Sequence, residues 1–510
     1  MKILFITGGL TSLRGKSNSY QETVIDQIVA RGHEVTLLCL AEVSPFPWMH
    51  WKKTVEKFPI YHLYNGGIYP GVYPQGGVGT RSPHLEIKPS QKLRKTVLEI
   101  IAEVAPDLIS FQSLFGLPLE LLQEIAQGEI PTHFTALDYF SLCPTAHLFP
   151  PDQKPCRLGA KELTCHECCQ ETLHYPTFWM THWINLWIDS LAPQSFFQTT
   201  LCRFRNLLLR LNRFWNRDQI PSPFYSQRRE AAIQALRSLT VIHCISQHQA
   251  DLFHQLAGTL SNLQVLHAHP ASTQKIDPQI RLNLNSAVEA VFTSLPPFTQ
   301  RVSPIWRGTG SVPPGTGKAV SHCPSILTAE FRLKKSRERL KFIALNVHAP
   351  YKGAELLHTT FTQLQQEGFP FELHFYGATP QQTVDSPHFF YHGRYQESDL
   401  DRIAAEADFC LIPSLWDETL GFVGLEMISR GVPLIVSDRA GVREFVQDRE
   451  NGLIFNPTNS DSLLITVREV FQNKSLCDKL WHNIALNNPA LKTFDEHVDE
   501  IEQLFLKLKK

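Results

Sequence analysis

The sequence predicts an α/β protein of two Rossmann-like β/α/β domains that face a cleft. Three observations lead there. Short apolar runs alternate with amphipathic segments of helical period in both halves. A stretch rich in Pro, Ser and Thr separates the halves. The chain has 510 residues, 43% of them hydrophobic and 19% charged, which is enough for large cores in more than one domain.

In the first half, Lys2–Thr7 is an apolar run of strand length followed by two glycines. Ser17–Arg31 has helical spacing, and His33–Cys39 is a second strand. Residues 45–90 read as aromatic, Gly/Pro-rich loops. The alternation then resumes with a helix over Gln91–Val104, a strand over Pro106–Gln112, a helix over Leu117–Gln127 and a strand over Pro131–Asp138. Residues 143–240 break the rhythm, and Leu239–Ile245, ending at Ser246, restores it. Residues 1–271 are therefore assigned to an N-terminal domain with a Cys-rich insert near 143–169. Residues 272–335, which include a Gly/Pro-rich run at 308–317, are assigned to a linker or flexible insert.

The second domain, residues 336–485, reads more clearly. Strands are predicted over Lys341–Val347, Phe371–Gly377, Phe389–Gly393, Asp408–Pro413, Pro433–Ser437 and Leu453–Phe455. Helices are predicted over Gly353–Gln366, Ser398–Ala407 with Ser398 as N-cap, and Gly421–Arg430. Residues 486–510 read as a C-terminal helix, with a return to the N-terminal domain as one course for it. Such sheets bind ligands beyond the carboxyl ends of their strands, so the chemistry is expected on the loops lining the cleft.

Composition narrows the function classes. Forty-eight basic and 49 acidic residues give a net charge of −1, which provides no electrostatic case for nucleic-acid binding. The start of the sequence lacks the apolar length and small-residue site of a signal peptide. No uncharged apolar stretch reaches the roughly 18 residues of a membrane span. A cytoplasmic protein is expected.

The most informative segment runs from Pro413 to Glu426. A strand enters a loop, and the loop opens a helix near Gly421. Unpaired amides and a partial positive charge at a helix start suit a diphosphate, held by the backbone of Gly421, Phe422 and Val423. Glu418 precedes the helix and Glu426 lies on its second turn. A carboxylate matches two vicinal hydroxyls, so the pair suits a nucleotide sugar, with ribose at one end and hexose at the other. The plainer reading is two acidic residues favoured by the helix dipole. Tyr351-Lys352-Gly353 forms a second strand–loop–helix entrance in the same sheet, and Lys352 adds a cation able to neutralise a leaving diphosphate.

These residues resemble the retaining glycosyltransferases of family 4, which have the GT-B fold. The resemblance rests on Tyr351-Lys352-Gly353, Phe375-Tyr376-Gly377, His392-Gly393-Arg394-Tyr395, Pro413-Ser414, the pair Glu418 and Glu426, Gly431 to Asp438, and Asn451-Gly452-Leu453. It covers about 150 residues in order. In the first half, Gly32-His33-Glu34-Val35, Pro106-Asp107, Asp138-Tyr139 before Cys143-Pro144, and Ser246 resemble the same family less tightly.

The resemblance implies a nucleoside-diphosphate sugar donor and a hydroxyl acceptor, whether glycan, lipid-linked or small molecule. It implies retention of configuration with no metal required for catalysis. By position, Glu426 would bind the ribose, Glu418 the transferred sugar, and Lys352 the departing diphosphate. Gly421, Phe422 and Val423 would hold sugar or phosphate. Gly393, Arg394 and Tyr395 would lie against the nucleobase, Gly15 would face the donor phosphates, and Asp138 and Tyr139 would stand on the acceptor side. Two departures stand out. The family usually has an Arg where this chain has Val347, and often a His where it has Leu137. They leave open a rival reading, a degenerate nucleotide-sugar or glycan-binding protein without turnover. A pyridoxal-dependent phosphorylase shares the fold class, but no cofactor-lysine context is evident. A zinc hydrolase would need an open site with His ligands.

Two further segments have alternatives. Cys143, Cys156, Cys165 and Cys168 have the thiol count and one Cys-x-x-Cys pair of a structural zinc site; a local disulfide or free thiols are the other readings. Residues 173–217 interleave aromatics with Arg203, Arg205, Arg210, Arg213 and Arg217, with no acid among those five arginines. That fits a peripheral helix at the inner membrane face, or core helices with solvated arginines.

Overall fold

A computed structural model describes residues 1–8, 16–42, 48–66, 71–72, 78–79, 87–149, 196–215, 223–272, 339–377, 383–459, 461–486 and 491–509, with isolated positions between 150 and 195. The linker assigned to 272–335 lies outside these residues except for Ser272.

The N-lobe elements are β1 (Lys2–Thr7), α1 (Lys16–Ala30), β2 (Glu34–Glu42), β3 (His50–Val55), β4 (Pro59–Tyr64), the short pair β5 (Gly71–Val72) and β6 (Val78–Gly79), α2 (Gln91–Val104), β7 (Leu108–Phe111), α3 (Leu119–Ala126), β8 (Thr132–Ala136), α4 (Phe196–Trp215), α5 (Phe224–Ser238), β9 (Val241–Cys244), α6 (Gln247–Ala257) and β10 (Leu263–Val265). Eight strands form one sheet in the order β10-β9-β8-β7-β1-β2-β4-β3. All pairings are parallel except the β3–β4 hairpin. Parallel strands covered on both faces need apolar side chains on both, which explains the unbroken runs Ile3–Ile6 and Leu37–Leu40.

The C-lobe contains β11 (Leu340–Leu345), α7 (Ala354–Gln366), β12 (Phe371–Tyr376), β13 (Phe389–Tyr391), α8 (Leu400–Glu406), β14 (Phe409–Ile412), α9 (Phe422–Ser429), β15 (Leu434–Ser437), β16 (Gly452–Phe455), α10 (Ser462–Gln472) and α11 (Lys474–Leu486). Its sheet is wholly parallel, in the order β13-β12-β11-β14-β15-β16. The order turns at β11 and β14, so the loops after these two strands diverge to opposite faces and leave a crevice between them. Those loops carry Lys352 and Glu418.

The last helix, α12 (Phe494–Leu508), belongs to the N-lobe core. Thr493 and Glu496 cap its start reciprocally. Its apolar face buries Val498, Ile501 and Phe505 in the same cluster as Ile3, Phe5 and Val24. Its polar face meets Arg31 through Asp499 at 2.6 Å and Glu502 at 3.3 Å.

Two expectations are corrected. Residues 45–90 are not all loop: β3 and β4 extend the sheet edge. The β3 sequence HWKKTV is mostly exposed, so it lacks the apolar signal of the buried strands. Ser398 is not a helix N-cap. Gln396 and Asp399 form a capping box around a 3₁₀ turn at Glu397–Asp399, and α8 starts after it.

Candidate active site

A cavity of 490 Å³ opens between the lobes. The N-lobe supplies Tyr20 and Thr23 from α1 and the segment Pro270–Ser272. The C-lobe supplies Asn346, His348, Arg394, Tyr395, Phe422 and Glu426 among others.

Glu426 sits on α9 with 3% of its surface exposed. Its Oε1 accepts a hydrogen bond from Ser272 Oγ at 2.8 Å. Arg430, one turn on, donates to the carbonyls of both Ser272 and Glu426 at 2.9 Å and pairs with Asp401 at 2.7 Å. The guanidinium therefore ties the N-lobe's Ser272 to the carboxylate's own helix. Tyr395 faces the same space, its hydroxyl accepting from Asn346 Nδ2 at 2.9 Å. Burial first, and then the charge of Glu426, push the Tyr395 phenol upward, so it stays a neutral donor.

Of the other residues expected at the donor, Arg394 and Phe422 are on the cavity wall. Phe422 also packs on Tyr20, ring centres 5.5 Å apart. Gly393 stands one residue behind, its carbonyl accepting from the Gly377 amide at 2.7 Å. Gly421, at φ 94°, is the residue before α9, and Val423 follows in the helix's first turn. An L side chain at Gly421 would be strained by that φ and would lie 3.6 Å from the Glu418 carboxyl carbon. Gly15 lies outside the described residues.

Glu418 and Lys352 meet beside this helix start. The Lys352 ammonium bonds Glu418 Oε1, and Ser414 Oγ donates to Oε2. The approach depends on Gly353. At φ 83°, any Cβ there would overlap the Pro413 carbonyl, so only glycine lets the two loops close on each other. Lys352 also lies 5.3 Å from the Trp416 ring centre. Its charge reaches His348 on the cavity wall, whose imidazole is pushed down by burial first and by Lys352 second.

Across the gap, Thr419 Oγ1 donates to the Leu137 carbonyl at 3.2 Å, and Ser246 Oγ donates to the Thr419 carbonyl. Glu444 of the C-lobe accepts from the Gln247 and His248 amides at 3.0 and 2.5 Å, closing the start of α6 with a carboxylate. These bonds hold the Glu418 loop against the loop after β8.

Of the two residues expected on the acceptor side, Asp138 accepts from the Phe140 amide at 2.8 Å, and burial raises its carboxyl to about 6. Tyr139 does not face the cleft. Its side chain is fully buried in the N-lobe core, 6.1 Å from the Phe253 ring. Sequence reasoning missed His147, whose ring stands between Tyr351 at 4.7 Å and Trp416 at 4.9 Å. Its Nδ1 is 2.6 Å from the Thr145 carbonyl, so the proton sits on Nδ1 and Nε2 carries the lone pair. Burial pushes this imidazole down to about 4, and Lys352 adds to the effect. The sequence offered no signal for His147 beyond its nearness to Asp138. Asn346 and His348 were findable as polar residues just after a buried strand; Ser272 carried no signal.

No three of Cys143, Cys156, Cys165 and Cys168 bring their sulfurs within 4.8 Å of one another. Cys143 packs in the N-lobe core, 3.2 Å from Thr145 Oγ1, and Cys156 packs against that core. Cys165 and Cys168 sit instead on Phe224 and Tyr225. Val347, in place of the expected arginine, is 5% exposed within the C-lobe core.

Residues 338–473 match the family model described as glycosyl transferases group 1. The C-lobe is thus a glycosyl transferases group 1 domain, and the chain has the GT-B fold. Solved structures of similar fold include a sucrose-phosphate synthase from Thermosynechococcus elongatus, at TM-score 0.53 and 13% identity over 100% of this chain and 99% of that one. Anabaena HepE in complex with UDP follows at 0.51 and 13%, over 99% and 100%. Among curated proteins, an uncharacterized glycosyltransferase of Methanocaldococcus jannaschii is 34% identical over 98 residues, 19% of this chain and 24% of that protein. The lipopolysaccharide 1,2-N-acetylglucosaminetransferase of Salmonella typhimurium is 30% identical over 105 residues, 20% and 23% of the two chains. The chain therefore spans about a quarter of the length of these curated relatives.

Proposed function

We propose that this protein is a retaining glycosyltransferase of family 4 that moves a sugar from a nucleoside-diphosphate sugar to a hydroxyl acceptor. The observation that carries the reading is the interlobe cavity. It has a buried carboxylate, Glu426, on its wall, and the Lys352–Glu418 pair stands beside the start of the same helix.

In this reading the ribose hydroxyls replace Ser272 on Glu426, and Arg394 and Tyr395 flank the base. The diphosphate lies across the start of α9. Lys352 leaves Glu418 for the departing phosphate, and Glu418 turns to the sugar hydroxyls. Stabilising the dianionic leaving group is the main electrostatic task, and ammonium and helix dipole contribute to it together. No side chain is needed as base if the leaving phosphate takes the acceptor proton on the same face. The relatives bear on the chemistry: Anabaena HepE is solved with UDP, and the Salmonella protein transfers N-acetylglucosamine in lipopolysaccharide.

The acceptor is proposed to be a glycan or a lipid-linked sugar, with the protein in the cytoplasm and docked at the inner membrane face. No helix among the described residues is long and apolar enough to cross a membrane. Helix α4 instead exposes Phe197, Phe204, Leu207 and Leu211, with the exposed Arg203 beside them. Apolar residues beside arginines suit an anionic lipid surface.

A binding protein without turnover is the second reading, and the buried Val347 favours it by leaving the leaving-group site one cation short. The test is nucleoside diphosphate release from UDP-, GDP- and ADP-sugars by wild type and Glu418→Gln. Turnover with one donor, lost in the variant, supports transfer. Tight donor binding with no release in any condition supports the second reading.

A further inference from the structure

A β-bulge at the cleft end of β2 brings three metal-binding side chains together. The parallel register pairs Cys39 directly with His62 on β4, then shifts so that Glu42 pairs with Tyr64. In a regular strand, residues three apart point to opposite faces. Here β2 spends one more residue than β4 between the two pairs, and that extra residue returns Glu42 to the face of Cys39.

One ligand atom from each of Cys39, Glu42 and His62 lies within 4.8 Å of the other two, and His62 Nδ1 is 3.9 Å from Glu42 Oε1. Cys39 is fully buried and Glu42 is 4% exposed. The second ring nitrogen of His62 is bonded to the Thr54 hydroxyl of β3 at 3.0 Å. That outer bond turns Nδ1 toward the other two ligands, the arrangement that orients metal-bound imidazoles.

We propose that Cys39, Glu42 and His62 bind a zinc ion, with a fourth position left for water. Thiolate, imidazole and carboxylate together are a zinc donor set, and three protein ligands leave one site of the tetrahedron open. Ligand atoms around tetrahedral zinc stand roughly 3.5 Å apart, so side-chain adjustment alone closes the site. Binding displaces the Cys39 proton to solvent. The ion would fasten the edge hairpin β3–β4 to β2 at the cleft.

The full chain, carrying Cys165→Ser and Cys168→Ser to remove competing thiols, is stripped with a chelator and titrated with Co²⁺. The expected result is one equivalent bound, with a thiolate-to-cobalt charge-transfer band that Zn²⁺ displaces. Cys39→Ser should abolish the band, and Thr54→Val should weaken binding about 10–100-fold. Cobalt bound without a thiolate band, or a band that survives Cys39→Ser, overturns the proposal. Should Cys39→Ser not fold, His62→Asn, at a half-buried position, is measured with its circular dichroism; wild-type affinity in that folded variant also overturns it.

Discussion

The ammonium of Lys352 and the carboxylate of Glu418 are partners, with Ser414 holding the carboxylate's second oxygen. Donor binding in the proposed reaction must separate them. Lys352→Met is expected to lower kcat about 10²–10³-fold, the usual loss when one preorganised charge is removed from a transition state, and to raise the donor KM far less. Steady-state release of nucleoside diphosphate measures both. A variant with wild-type kcat would take Lys352 out of the leaving-group role.

Glu426 is expected to act on binding instead. A charge-assisted hydrogen bond to a ribose hydroxyl is worth about 1.5–3 kcal/mol, and glutamine keeps one of the two acceptors, so Glu426→Gln should weaken the donor roughly 10–100-fold. Calorimetric titration with the preferred nucleotide reads this directly. Ser272→Ala is the control, since that hydroxyl is the group the ribose displaces; its affinity should hold or rise.

Helix α12 should be indispensable to the N-lobe. Phe505 is 1% exposed and stands 6.2 Å from the Phe5 ring. Phe505→Ala is expected to destabilise by about 3–5 kcal/mol. Denaturant unfolding would show it as a lower midpoint, and a loss below about 1 kcal/mol would mean that the helix packs less tightly than described.

Acid should unfold the same region. His243 and His269 are pushed down to about 4, chiefly by burial, and His133 and His497 fall well below their ordinary value for the same reason. These rings adjoin one another and α12, with centres 5.7 Å apart for His133–His243 and 6.0 Å for His269–His497. A histidine depressed in the folded state takes up its proton mainly on unfolding. The stability it holds above about pH 6.5 is therefore lost as pH falls toward 4. Thermal melts across that range should decline steeply, and His497→Phe should flatten the decline. A flat profile in wild type would mean that the cluster is not neutral.

Membrane docking by α4 predicts salt-sensitive co-sedimentation with anionic vesicles, reduced by Phe204→Ser with Leu211→Ser and absent on neutral vesicles. Equal binding to neutral vesicles would remove the electrostatic part of the idea.

Both sheets were legible in the sequence because buried parallel stretches such as Ile3–Ile6 and Phe409–Ile412 are continuous apolar runs between helical periods. The exposed edge strand His50–Val55 has no such signature, and Tyr139 looked like a cleft residue although its ring turns inward. Of the residues the motifs assigned to a donor, Glu426, Arg394 and Phe422 line one cavity. Ser272, His147 and Tyr20 reach the cleft from distant parts of the chain, so tertiary packing, not local pattern, puts them there. The metal-binding trio depends on a one-residue register shift between strands, which no periodicity in β2 alone can reveal.

Because α12 comes after every C-lobe strand yet lies beneath α1, a nascent chain leaves the ribosome with its first sheet unsealed. Ile3, Phe5 and Val24 wait for partners encoded nearly five hundred positions later. The first lobe therefore has to survive synthesis with an apolar face bare, and its maturation is coupled to completion of the second.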